Sequence, residues 1–269
     1  MKYLFKILSK ISIDKLYLLS RILNNVLYFI FPYRSKVINK NLKKIYPKNS
    51  KKEIKKLKKK FYKFLTDTIF ETIKLLDFNI DDIKKRVTLK NSQIILRNQN
   101  KKNIIIVSSH YSNWEWLFAR ITILTNKKIY AVYKPLKNNF FNNLILKIRS
   151  KFGAVMLNKS KAGKYIIQNK KNSKTYFFLS DQVPENLNNV YETLFMNTHT
   201  TFSTGVEKLS KKINSIVVYA KMKKIKQGYF SVEFFELNNN ITEKCVEYLE
   251  KSITEKPEFW LWSHNRWKR

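Results

Sequence analysis

The chain has 269 residues, 44% of them hydrophobic and 14% aromatic. That supplies one sizeable core, which excludes a small stapled scaffold and makes intrinsic disorder a poor reading despite 27% charged residues. Against 19 acidic residues stand 54 basic ones, so a formal charge of +35 predicts attraction to nucleic acid, a membrane surface or an acidic protein.

Only eight of the basic residues are Arg, at 21, 34, 86, 97, 120, 149, 266 and 269. In a chain otherwise rich in Lys, Asn and Ile, each Arg is more informative than any Lys. Cys245 stands alone, which argues against a disulfide framework or a cysteine-based metal cluster and for a site in a reducing cytosol.

At the N-terminus Lys2 and Lys6 flank short apolar runs, but no small-residue cleavage site follows, so a signal peptide is not expected. Leu16–Phe31 is apolar yet interrupted by Arg21, Asn24 and Asn25. As a helix it would span about 24 Å, short of a hydrocarbon core of about 30 Å. Residues 1–31 therefore read as a membrane-associated segment lying in the interface, the alternative being a helix packed on the protein's own core. Val37, Ile38, Leu42 and Ile45 then form a helical stripe that Pro47 breaks, and Ser50 caps a second helix whose Lys-rich first half suits anionic lipid. Phe61, Phe64, Leu65, Ile69, Phe70, Ile73 and Leu76 continue it at helical spacing.

After about residue 100 the pattern alternates. Buried strands are expected at 103–108, 128–133, 153–157, 175–179 and 215–220, with helices at 113–124, 140–151, 160–171 and 202–213 and an edge strand at 229–236. The expected fold class is α/β: a mostly parallel or mixed central sheet flanked by helices. It forms a single domain over 32–269, with a helical front to about 100 and the α/β core over 101–269. In such sheets ligands bind at the carboxyl ends of the strands.

The first core strand ends in the segment Ser-Ser-His-Tyr-Ser-Asn-Trp-Glu, with His110 just past the strand and Glu115 five residues on. If Ser112 or Asn113 caps the next helix, Glu115 falls in its first turn, where the helix dipole favours a carboxylate. From there it is expected to accept a hydrogen bond from one imidazole nitrogen and leave the other as a general base. Of the other histidines, His199 lies in a polar loop, while His264 sits in an aromatic run and suits packing equally well. No nucleophile elbow, Walker loop, dinucleotide pattern or zinc motif is present, so the chemistry expected is nucleophile-free.

These residues carry a resemblance. His110 through Glu115 is similar to the His-x4-Asp/Glu motif of the lysophospholipid acyltransferase superfamily, in the Glu form of the bacterial lipid A biosynthesis (late) acyltransferases. Arg34 through Pro47, residues 132–153, the 177–184 block with Asp181 and Gln182, and the closing run 258–268 resemble further blocks of that family, in order; Asn265 departs where a second Arg is expected. The resemblance implies transfer of a fatty acyl chain from an acyl carrier protein thioester to a hydroxyl of a lipid A precursor. His110 would act as base and Glu115 as its partner, with no metal or organic cofactor. It implies substrate-binding roles for Arg149, Asp181, Lys134 and Gly153, of which Arg149 would fork onto phosphate or an oxyanion and Asp181 would position the acceptor or brace Arg149. Its implied setting is a monomer on the cytoplasmic face of the inner membrane, meeting anionic lipid and acidic carrier protein. An aminolipid or lysophospholipid acceptor remains an alternative, and a basic nucleic-acid-binding protein is a more distant one, since no nucleic-acid-binding signature accompanies the charge.

Overall fold

The computed structural model describes residues 2–125 and 127–267; Lys268, last of the closing run quoted above, lies outside them. Four helices form the front: α1 (Lys2–Lys10), α2 (Ile13–Asn25, running into a π-helical turn over Val26–Ile30), α3 (Ser35–Ile45) and α4 (Lys51–Lys74). Ser50 caps α4 reciprocally: its hydroxyl accepts from the Glu53 N–H at 3.2 Å, and the Glu53 carboxylate accepts from the Ser50 N–H at 2.7 Å. One face of α2 packs on α4, with Leu16 fully buried beside Phe70 and Ile73. Tyr17 donates to Glu71 at 2.7 Å and Ser20 to Asp67 at 2.5 Å. The opposite face leaves Leu18, Ile22, Phe29 and Phe31 exposed, Phe31 at 70%. The buried face of residues 16–31 fits the alternative of a helix packed on the protein's own core. Among the described residues no helix is long and apolar enough to cross a membrane.

The core follows: α5 (Ile80–Arg86), β1 (Val87–Lys90), α6 (Gln93–Leu96), β2 (Ile104–Ser108), α7 (Trp114–Leu124), β3 (Ile129–Tyr133), α8 (Asn139–Ser150), β4 (Val155–Asn158), α9 (Lys159–Gln168) and β5 (Thr175–Leu179). After these come β6 (Val190–Phe195), β7 (Thr198–Ser203), α10 (Gly205–Ile213), β8 (Ile216–Lys226), β9 (Tyr229–Leu237) and α11 (Ile241–Glu255). Seven strands form one sheet in the order β1-β9-β8-β2-β5-β3-β4, and every neighbouring pair is parallel except β8 with β9.

Strand β2 is buried on both sides, which is why it reads as a continuous apolar run. Ile104 and Ile106 face α7, while Ile105 and Val107 face α9, α10 and α11, as the period of two requires. The expected edge strand at 229–236 is corrected: β9 is internal, because the short β1 pairs beside it from Val87 to Lys90. Strands β6 and β7 form a separate hairpin whose two-residue turn, Met196 and Asn197, takes positive φ at both positions (52° and 57°). Neither residue is Gly, so the turn is silent in the sequence.

Candidate active site

The site lies where β2 and β5 end side by side. Their register pairs Ser108 with Leu179, and the Ser180 N–H donates to the Ser108 carbonyl at 3.1 Å. Two residues past each paired position stand His110 and Asp181. The His110 backbone N–H donates to Asp181 Oδ1 at 3.0 Å, and ring Nδ1 lies 2.7 Å from the same oxygen. The second oxygen, Oδ2, accepts from the Trp260 indole at 3.0 Å. Burial pushes the Asp181 carboxyl up, but the His110 charge and the hydrogen bonds from His110 and Trp260 outweigh it and bring it down to about 2. An ionised carboxylate only accepts, so Nδ1 carries a hydrogen, and in the neutral ring the lone pair is then on Nε2. Among the described residues no serine or cysteine side chain hydrogen-bonds the ring.

The turn after His110 is shaped by Ser112, a fully buried non-glycine residue at φ 58°. Asn113 then caps α7, accepting from the Trp116 N–H at 2.9 Å and donating to Glu71 at 2.6 Å. Glu115 falls in the first turn of α7 as expected, but the expected tie to the imidazole is not made. Its carboxylate is instead gripped by Arg149, Nε to Oε2 at 2.9 Å and Nη2 to Oε1 at 2.6 Å, while the Trp114 indole donates to Oε1 at 3.0 Å. Burial raises the Glu115 carboxyl, and the Arg149 charge with these hydrogen bonds more than reverses it; burial lowers the Arg149 guanidinium, and Glu115 more than restores it. The physical reason for the correction is competition: the Arg149 fork and the Trp114 indole hold the Glu115 carboxylate, and Asp181 already occupies Nδ1. Trp114, which donates to Glu115, meets the His110 ring edge-on at 5.3 Å, and the His110 charge also acts on the Glu115 carboxyl through space.

The same pairing spends the Arg149 fork that was expected on a substrate anion. Asp181 does not brace Arg149; it holds His110. Lys134 lies on the surface, paired with Glu185 at 2.7 Å, and Lys159 shares that carboxylate at 3.2 Å. Gly153 lies in the turn between α8 and β4 at φ 95°, a backbone conformation that strains L side chains, so its residue type is explained by the turn. His199 is exposed on β7. His264 joins the site: with His110, Asp181, Gln182, Trp260 and Leu261 it lines a shallow cavity, and burial brings it down to about 4, so it is neutral near pH 7.

The sequence blocks flanking the core turn out to brace one another. Arg34 donates to the Ser263 carbonyl at 2.8 Å, and Asn41 donates to the carbonyls of Trp262 and His264 at 2.9 and 2.7 Å. They fix the closing run, which presents Trp260 to Asp181. Asn265, where the second Arg was expected, has a buried side-chain oxygen without a partner among the described residues. Arg266 is buried, donating to the Thr201 carbonyl and lying over the Phe202 ring at 4.3 Å. The Trp260–Asp181–His110 chain escaped sequence reading because its members are far apart along the chain; the one available signal was that two adjacent parallel strands both end in polar residues.

Fold and site together define a class: an α/β protein with a carboxylate-backed imidazole at the carboxyl ends of parallel strands. The chain belongs to the bacterial lipid A biosynthesis acyltransferase family, whose profile matches residues 4–269. It is an acyltransferase. No curated protein matches the chain.

Proposed function

We propose that the protein moves a fatty acyl chain from an acyl carrier protein thioester to a hydroxyl of a lipid A precursor, with His110 as the general base. The observation that carries this reading is the Asp181 carboxylate 2.7 Å from Nδ1, which leaves Nε2 as the proton acceptor. The acceptor hydroxyl gives its proton to Nε2 and attacks the thioester carbonyl, and Asp181 stabilises the imidazolium that forms. When the thiolate leaves, it takes the proton back. The test is to incubate the purified protein with acyl carrier protein thioesters and a panel of acceptor lipids and to read products by mass spectrometry. Transfer to a sugar-linked 3-hydroxyacyl chain is the expected result; transfer only to an aminolipid or a lysophospholipid would reassign the acceptor.

The site of action in this reading is the cytoplasmic face of the inner membrane, held by the outer side of α1, α2 and the π-helical turn. Leu4, Ile7, Leu18, Ile22, Phe29 and Phe31 are exposed there. Each such side chain gains about 1.5–3 kcal/mol on burial, and the +35 charge favours anionic lipid and acidic carrier protein alike. Because the inner face of α2 packs on α4, substitution tests this better than deletion. Changing Leu18, Ile22, Phe29 and Phe31 together to Ser is expected to lower partition into anionic vesicles by at least about 100-fold without loss of helical circular dichroism. Undiminished cosedimentation after a high-salt wash would move the anchor elsewhere.

A further inference from the structure

Asp181 and Gln182 are consecutive, and they address the two nitrogens of one ring. Asp181 Oδ1 lies 2.7 Å from Nδ1, and the Gln182 amide nitrogen lies 3.4 Å from Nε2. In the neutral ring with its hydrogen on Nδ1, Nε2 offers only a lone pair, and the contact is then an amide N–H donated to it. At 3.4 Å it is long, and a side chain on the exposed rim of the site gives it up at small cost. Yet this is the nitrogen that must receive the acceptor's proton.

Addition of an oxygen nucleophile to a thioester creates an oxyanion, which needs a donor within about 3 Å. Of the donors around the site, the neutral His264 ring lines the same cavity and is a second candidate, while several others are engaged elsewhere. The His110 N–H serves Asp181, the Ser112 N–H serves the Phe259 carbonyl at 2.8 Å, and the Leu261 N–H serves the His110 carbonyl at 3.2 Å. Arg149 is held by Glu115, and Lys134 by Glu185. Gln182 has hydrogens at the reaction centre committed to nothing but the lone pair that the substrate must claim, and it lines the cavity there beside His110, Trp260 and His264.

We propose that Gln182 is a catalytic residue: its side-chain amide covers Nε2 until the acceptor hydroxyl arrives, then turns the released N–H onto the thioester oxygen. The proposal rests on His110 being the base. As Nε2 takes the proton, the acceptor O–H bond breaks, its oxygen bonds to the carbonyl carbon, and the π pair moves onto the carbonyl oxygen, where Gln182 donates. When the C=O bond re-forms, the C–S bond breaks, and the departing thiolate recovers the proton from Nε2.

The test compares Gln182→Ala, Gln182→Glu and His110→Ala with the full-length enzyme, using an acyl carrier protein thioester and the acceptor that the lipid panel identifies. Gln182→Ala is expected to lower kcat by about 10²–10³-fold, the loss typical of one oxyanion donor, with KM for both substrates within about threefold and an unchanged melting temperature. Gln182→Glu, equal in shape but lacking the donor and placing charge where the oxyanion forms, is expected to be slower still. A role in shape alone reverses that order. Gln182→Ala at or above wild-type kcat reduces the residue to a cover and overturns the proposal, provided His110→Ala is inactive. Activity in His110→Ala would remove the base itself and, with it, this proposal.

Discussion

Asp181→Asn is expected to lower turnover by about 10³–10⁴-fold, comparable to other carboxylates that fix a catalytic histidine, and His110→Ala to reduce it to background. The asparagine preserves shape and can still accept from the Trp260 indole, so the protein should fold. What changes is the ring. A carboxylate forces the hydrogen onto Nδ1; an amide that turns its N–H there gives up the bond from the His110 backbone N–H to the same atom and pushes the ring hydrogen to Nε2, leaving no base facing the acceptor. The charge that would stabilise the imidazolium is lost as well. Because the Asp181 carboxyl sits at about 2 when folded against an ordinary value near 3.9, its contribution to stability is present above about pH 4 and fades as pH falls through 2. An acidic limb of the rate profile above pH 4 therefore does not arise from protonation of Asp181. Glu115→Gln serves as the comparison: if it reduces kcat of a fully folded enzyme more than Asp181→Asn does, then Glu115 is the working partner of His110 and the assignment drawn from the geometry fails.

The fold was legible to the extent that burial is. Strand β2 is covered on both faces, and β3, β5 and the first half of β8 largely are, so their Ile, Val, Tyr and Phe runs announce them, and β5 appears at its expected bounds of Thr175–Leu179. Strand β1 was not legible, because Val-Thr-Leu-Lys alternates over only four residues and gains its identity from pairing with β9. Without β1 in view, the alternation of β9 looked like an edge. The site shows the same division. Local relations came through: the position of His110 beyond a strand, Asn113 as a cap, Glu115 in the first turn. Which carboxylate faces the imidazole depends on the pairing of β2 with β5 and on where α8 delivers Arg149. Spacing along the chain contains neither. The five-residue interval between His110 and Glu115 was a false guide to the hydrogen bonds of the imidazole.

Arg149→Met is expected to destabilise the protein by about 3–5 kcal/mol, because it strands the Glu115 carboxylate, whose side chain is 6% exposed, without its counter-charge. In a chain of this size each kcal/mol is worth about 2–4 °C, so the melting temperature should fall by about 10 °C. Joining Glu115→Gln to Arg149→Met removes both charges and should return much of the loss, since the cost comes from an unpaired ion and not from the absence of the pair. Arg149→Lys keeps the charge but not the two parallel hydrogen bonds, and an intermediate melting temperature is expected. Kinetics then separate this reading from the one that the family resemblance implies. If the fork only braces Glu115, folded Arg149→Lys assayed well below its melting point keeps kcat and both KM values within about tenfold, the residual loss passing through Trp114 to the His110 ring. A guanidinium that touched phosphate or an oxyanion would behave in the opposite way: Arg149→Lys would melt near wild type yet lose about 100-fold or more in kcat or in KM for the anionic acceptor. Melting and turnover measured on the same three variants decide which partner Arg149 serves.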